Sequence, residues 1–302
     1  MFNGAYGGND QFGQSNSLIG MFAFILLVLL VFMVLLRVGV SILSAIFAPD
    51  GSPHLIDGMV PGNSLMVFDQ YPGIPGSKTV YRSKNQNGGI EFTWSVWLYI
   101  EDVDAKDGNK YRHIFSKGNP QQYSSEYSKT AGINQPDIEG NGMMYPNNAP
   151  GLYLAPNSND LILVMNSFAD NKIQETVMID NIPLNKWVNL IFRCKDKSLD
   201  IFINGIVTKN VTLRAPPRQN YENVYMHLNK GYSGYTSNLW YYNYAIGTAA
   251  INDIVRGGPN TKLASKGGPN DKTSDYLSSK WYFAGQSDMY NPASISSTGV
   301  EK

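Results

Sequence analysis

The 302-residue chain has one cysteine, Cys194, and three histidines, His54, His113 and His227. A single cysteine excludes an intramolecular disulfide and fits a reducing compartment. The histidines are far apart in sequence and lack paired ligand spacing, which speaks against a zinc centre. Charge is sparse as well. Only 16% of residues are Asp, Glu, Lys or Arg, and 24 basic residues balance 24 acidic ones. No basic stripe points to nucleic acid, and no acidic block points to a solvating tail. The chain also lacks a Gly-x-Ser-x-Gly elbow and a phosphate-binding glycine loop. Long apolar runs are missing, with one exception.

That exception is LIGMFAFILLVLLVFMVLL, nineteen residues from Leu18 to Leu36. A bilayer core of about 30 Å needs about 20 apolar residues in a helix, so the run is long enough to span. A secretory signal has a basic start and an apolar core of about 7–15 residues. Here no Lys or Arg precedes the run, and apolar sequence continues past Arg37 as VGVSILSAIFA. No small-x-small cleavage site follows. A retained transmembrane helix over 18–48 is expected, with Arg37 at the interface or snorkelling to it. The lipid bilayer is thus the first expected partner. Lys and Arg near the span lie only on its C-terminal side, at Arg37, which favours a cytoplasmic head. The sequon Asn210-Val211-Thr212 points the other way, but one sequon is expected by chance in so Asn-rich a chain. Residues 1–17, rich in Gly, Asn and Gln, read as a disordered polar start.

Beyond the anchor, residues 49–78 carry five prolines and many glycines and read as a stalk. Strand patterning then begins. In IEFTWSVWLYI (90–100), Phe92, Trp94, Val96, Leu98 and Ile100 alternate with Glu91, Thr93, Ser95, Trp97 and Tyr99. Further strands are expected at 111–116, 151–155, 160–165, 173–179, 187–194, 199–203, 206–213, 224–228 and 238–244. Asn204-Gly205 between two of them accepts the positive φ angles of a type I′ hairpin. A short helix is expected at 249–256, capped by Thr248 and ended by Gly257. The fold class is therefore all-β: an antiparallel β-sandwich or jelly roll over 79–256. A long polar insertion (118–150) interrupts it. An extended tail (257–302) follows, with a short Gly-Gly-Pro-Asn echo and the aromatic island Trp281-Tyr282-Phe283.

Four blocks resemble one family. IEFTWSVWLYI with HIFSKGN, GLYLAPNSNDLILVM, IPLNKWVNLIFRCKDKSLDIFINGIV and NLWYYNYAIGTAAINDIV are similar to strands of laminin-G-like, concanavalin A-like jelly rolls. The resemblance covers roughly 79–256. The whole architecture of anchor, jelly roll and tail is also similar to membrane-associated proteins of large DNA viruses. That likeness implies a minor virion component between an internal membrane and a capsid shell.

Site candidates follow from this frame. Hydrolases on this fold use two Glu and an Asp at alternate strand positions, because acid and nucleophile must share one face. Glu101-Asp102-Val103-Asp104 lacks the second Glu and reads as a solvated loop. No enzyme is expected. Asp102, Asp104 and Asp107 form a candidate calcium loop, the one cofactor the sequence leaves open. The third Asp falls one position late for an EF-hand, and a polar hairpin tip is the plainer reading. For glycan binding the candidate aromatics are Tyr232, Tyr235, Trp240, Tyr241, Tyr242 and Tyr244. However, Trp240, Tyr242 and Tyr244 share one strand face and are expected in or near the core. Trp94 and Trp187 are expected in the core too. Cys194 shares a face with Val188, Leu190 and Phe192, as a small buried hydrophobe. Trp281, Tyr282 and Phe283 are the candidate protein-docking residues. The sequence thus predicts a non-enzymatic, membrane-tethered structural protein that docks on capsid or other membrane-proximal proteins. A membrane-anchored lectin used in attachment is the alternative.

Overall fold

The computed structural model describes residues 11–47, 51–74, 76–83, 86–103, 109–122, 141–169 and 174–264. Two compact units result, Met1–Asp50 and Gly51–Lys302. The first contains α1, Gln11–Phe47, whose apolar window Leu18–Ala45 has mean hydropathy 3.2 and no buried share. Its large side chains from Leu18 to Leu43 are exposed, so this is not the core helix of a soluble domain.

The second unit is an antiparallel sandwich of two six-stranded sheets. The strands are β1 His54–Pro61, β2 Met66–Phe68, β3 Glu91–Asp102, β4 Arg112–Gly118, β5 Asn148–Leu154 and β6 Leu161–Asn166. They continue with β7 Gln174–Ile179, β8 Trp187–Lys195, β9 Ser198–Ile203, β10 Ile206–Thr212, β11 Val224–Met226 and β12 Ser233–Tyr242. One sheet runs β1-β12-β3-β8-β9-β10, the other β2-β11-β4-β5-β6-β7. Alternation explains the core. Phe92, Trp94, Val96, Leu98 and Ile100 of β3 meet Val188, Leu190, Phe192 and Cys194 of β8 in one buried cluster with the facing sheet. The hairpin at Asn204-Gly205 has φ of 49° and 81°, the conformation the type I′ turn demands.

Two expectations need correction. The segment 49–78 is not merely a stalk, because it contributes β1 and β2, one edge strand to each sheet. Its signal was masked by Gly58, which sits in a bulge of β1 at φ +106°, and by Pro61 at the strand end. The short helix is α2, Thr248–Gly257, but Gly247 occupies its N-cap and no side chain caps it.

The outer face of the first sheet is half covered. Ile251 of α2 packs with Ile191, Phe202 and Ile246 on that face. The chain then returns as a strap, residues 258–264. Ser237 Oγ donates to Asn260 O, Met59 N–H to Lys262 O, and Ala264 N–H to Met59 O. The strap thereby adds a short parallel bridge, Met59 to Leu263, to the free edge of β1. A Cβ on Gly58 would stand 2.8 Å from Lys262 O. Gly58→Ala is therefore expected to destabilise the fold by about 1–3 kcal/mol, combining positive-φ strain with eviction of the strap. Faster hydrogen exchange at the Met59 and Ala264 amides is the readout; unchanged protection would show that the strap tolerates the methyl.

Candidate functional site

Among the described residues no group of three His, Cys, Asp or Glu could hold a metal ion. Asp102 ends β3 and is partly exposed, and its carbonyl accepts a bond from Arg112 Nη1. Asp104, Asp107, Trp281, Tyr282 and Phe283 lie outside the described residues, as does most of the 118–150 insertion.

Two histidines distant in sequence come together under the second sheet. Leu228 N–H donates to His113 Nδ1, so Nε2 carries the proton and donates to Ser116 Oγ at 2.8 Å. His227 Nδ1 donates to Ser64 O, and Nε2 accepts from Thr236 Oγ1. Both rings are buried. Burial, which disfavours the charged form, lowers the pKa of His113 to about 3 and that of His227 to about 4. Partial burial against Trp240 lowers His54 to about 4 as well. All three folded pKa values lie below the unfolded 6.5. Their contribution to stability is therefore complete above pH 6.5 and is lost as pH falls towards 4 and 3. Urea midpoints of the solubilised chain should fall steadily from pH 6.5 to pH 4, and the double variant His113→Gln, His227→Gln should flatten that slope. The Cys194 thiol is pushed up to about 12 chiefly by burial, which makes it an inert filler rather than a nucleophile.

Aromatic side chains organise the outer face of the first sheet, in two sets with different geometry. The first set is His54, Trp240, Tyr242 and Tyr244. Tyr242 packs, as expected, near a core, against the buried cluster of Ile191, Phe202, Ile246 and Ile251, whereas Trp240 belongs to no buried cluster; Leu239 and Tyr241 point into the main core. A register shift between Ser237 and Trp240, with Asn238 at φ 47°, sets which β12 residues face outward. The rings then stack on one another. His54 lies 3.8 Å from Trp240 at 9°, and Trp240 lies 5.9 Å from Tyr242 at 14°. Their π-faces are used up within the ladder.

The second set crosses three strands at the opposite end of the same face. Tyr235 of β12, Tyr99 of β3 and Trp187 of β8 are mutual register partners. Ring centroids stand 6.2 Å and 5.5 Å apart, at 57° and 52°. These rings are tilted rather than stacked, and all three are partly exposed. Trp187 is thus another correction. The parity that puts Val188 inward puts Trp187 outward. Two residues further along the same face, Trp97 pairs with Asn189. Trp97 Nε1 and Asn189 Oδ1 are both buried without a protein partner, a donor beside an acceptor. Glu101, exposed, follows Tyr99 on the same face and accepts from Ser233 Oγ. The row is also wired to the histidine layer, through Tyr232 Oη, which contacts Thr236 Oγ1 and donates to Tyr235 O. Trp97 and Tyr99 could be read outward from the alternation of β3, and Tyr235 was among the glycan candidates. The row itself could not be read, because it needs the registers of three strands.

No family model and no curated protein matches the chain. Solved structures similar to it are the receptor-binding domain of botulinum neurotoxin D (TM-score 0.44, 9% identity, 68% of this chain and 52% of that one). Another is the serotype D ligand-binding domain in complex with N-acetylneuraminic acid (TM-score 0.40, 10% identity, 66% and 45%). A third is the serotype G binding domain (TM-score 0.40, 9% identity, 66% and 46%). The chain spans about half or less of each.

Proposed function

We propose that the chain is a membrane-tethered, non-enzymatic recognition module whose sandwich binds saccharides on the Tyr235–Tyr99–Trp187 row. The carrying observation is that row: three partly exposed rings, tilted so that their faces are not spent on each other. Sugars present apolar C–H faces to aromatic rings and hydroxyls that both donate and accept, and large rigid aromatics supply contact area at low entropic cost. Glu101 supplies an acceptor at the rim of the row. The helix α1 acts as a retained anchor, supported by its length, its exposed apolar surface and its apolar continuation past Arg37.

The capsid-docking reading makes the opposite demand, that the head engages protein rather than sugar. A glycan array probed with the full-length chain in lipid nanodiscs separates the two. Binding to a defined set of saccharides, unchanged by EDTA, supports the proposal. No saccharide bound above background overturns it and returns protein docking to first place.

A further inference from the structure

The sandwich has two unlike ends. Register places Asp102, Ser233, Pro61 and Trp187 at one end, with the aromatic row. His54, Tyr242, Phe68 and Asn166 lie at the other, and Lys78 Nζ donating to His54 O confirms that the two sheets share that end. The chain from the apolar helix enters the sandwich at this second end, through Gly51 and Pro53, whose carbonyl accepts from Tyr241 N–H.

Four side chains on three loops of this end are large, apolar or aromatic, and exposed: Tyr71 70%, Ile74 42%, Phe168 65% and Tyr221 79%; the other end exposes Leu65, Ile206 and Val207, all aliphatic. Tyr71 follows β2, Tyr221 precedes β11 and Phe168 follows β6, so the tips span four strand spacings of the second sheet, about 19 Å. The Arg218 guanidinium lies 5.7 Å from the Phe168 ring centroid. Exposed cations in the loops of this end, Arg82, Lys197 and Arg214, outnumber the exposed acid Glu222 among the described residues.

Chain length then supplies the occupant. Only residues 46–50 separate the apolar window ending at Ala45 from Gly51. Six steps of extended chain reach at most about 20 Å. Resting on the anchor reading above, we propose that this end of the sandwich is a lipid-contact surface, with Tyr71, Ile74, Phe168 and Tyr221 seated at the headgroup boundary of the same bilayer that holds the helix. Tyr is favoured at that boundary because its body is apolar and its tip polar, and nearby Lys and Arg gain from anionic headgroups.

The test uses the full-length chain in phosphatidylcholine–phosphatidylserine vesicles. Tyr71→Cys, Tyr221→Cys and the opposite-end control Asn185→Cys are labelled with an environment-sensitive fluorophore. The natural Cys194 is buried and does not compete. Lipids spin-labelled near the headgroup should quench the 71 and 221 probes several-fold more than the 185 probe. A chain that floats with the vesicles but shows equal quenching at all three positions overturns this inference alone. A chain stripped from the vesicles by alkaline carbonate overturns the anchor reading, and this inference with it.

Discussion

Trp187→Ala is expected to weaken saccharide binding about 30-fold while leaving the sandwich folded. Truncating a large aromatic anchor at a binding surface typically removes 2 kcal/mol or more of binding free energy, and each 1.4 kcal/mol is tenfold. Trp187 is the right position because its ring is partly exposed at the end of the row and stands outside the buried cluster. Adding Tyr99→Ala should take binding below detection, since the two rings are neighbours at 5.5 Å. Trp240→Ala is the control. Its ring is stacked between His54 and Tyr242, so its loss should lower stability and leave affinity unchanged. Calorimetric titration of the three variants decides this. Equal affinity in wild type and Trp187→Ala would remove the row from the account, and weakening only by Trp240→Ala would move the site to the ladder.

The second large effect concerns the core. Trp94→Ala should cost about 3–5 kcal/mol, the range for truncating a buried aromatic. Trp94 is 1% exposed and touches both sheets: Phe115 at 5.3 Å from the facing sheet and Tyr241 at 5.0 Å from its own. Domains of this kind hold only about 5–15 kcal/mol in total, so the variant should be near the edge of folding at 37 °C. Trp94→Phe, which keeps most of the apolar volume, should lose much less. Urea denaturation of the solubilised chain gives both numbers. A Trp94→Ala midpoint close to wild type would mean that the sheets repack without it, contrary to the packing described.

How legible this was depended on which forces acted locally. The central strands could be read because β3 and β8 each alternate one continuously apolar face, and because Asn204-Gly205 accepts a conformation most residues resist. The edge strands could not. β1 is broken by a bulge at a positive-φ glycine, and β2 has three residues, so neither shows a period long enough to detect. The place of Trp240 on β12 was misread for a related reason. Its outer face is sheltered by α2, the strap and His54, which lets Trp and Tyr sit there without signalling exposure. The candidate site inherited both problems. Single-strand patterns fix which way Tyr99 points, but not that Trp187 and Tyr235 stand beside it at matching register. The proposed lipid-contact end was hidden too, since its three loops lie between residues 71 and 221 and meet only when the sheets are assembled.

The most direct test of the central claim is a crystal structure of the chain with an oligosaccharide selected on the array. The account predicts one pyranose ring packed on Trp187 and Tyr99, with a hydroxyl hydrogen-bonded to Glu101. A sugar seated elsewhere on the sandwich, or electron density that leaves the row bare at saturating ligand, would contradict it.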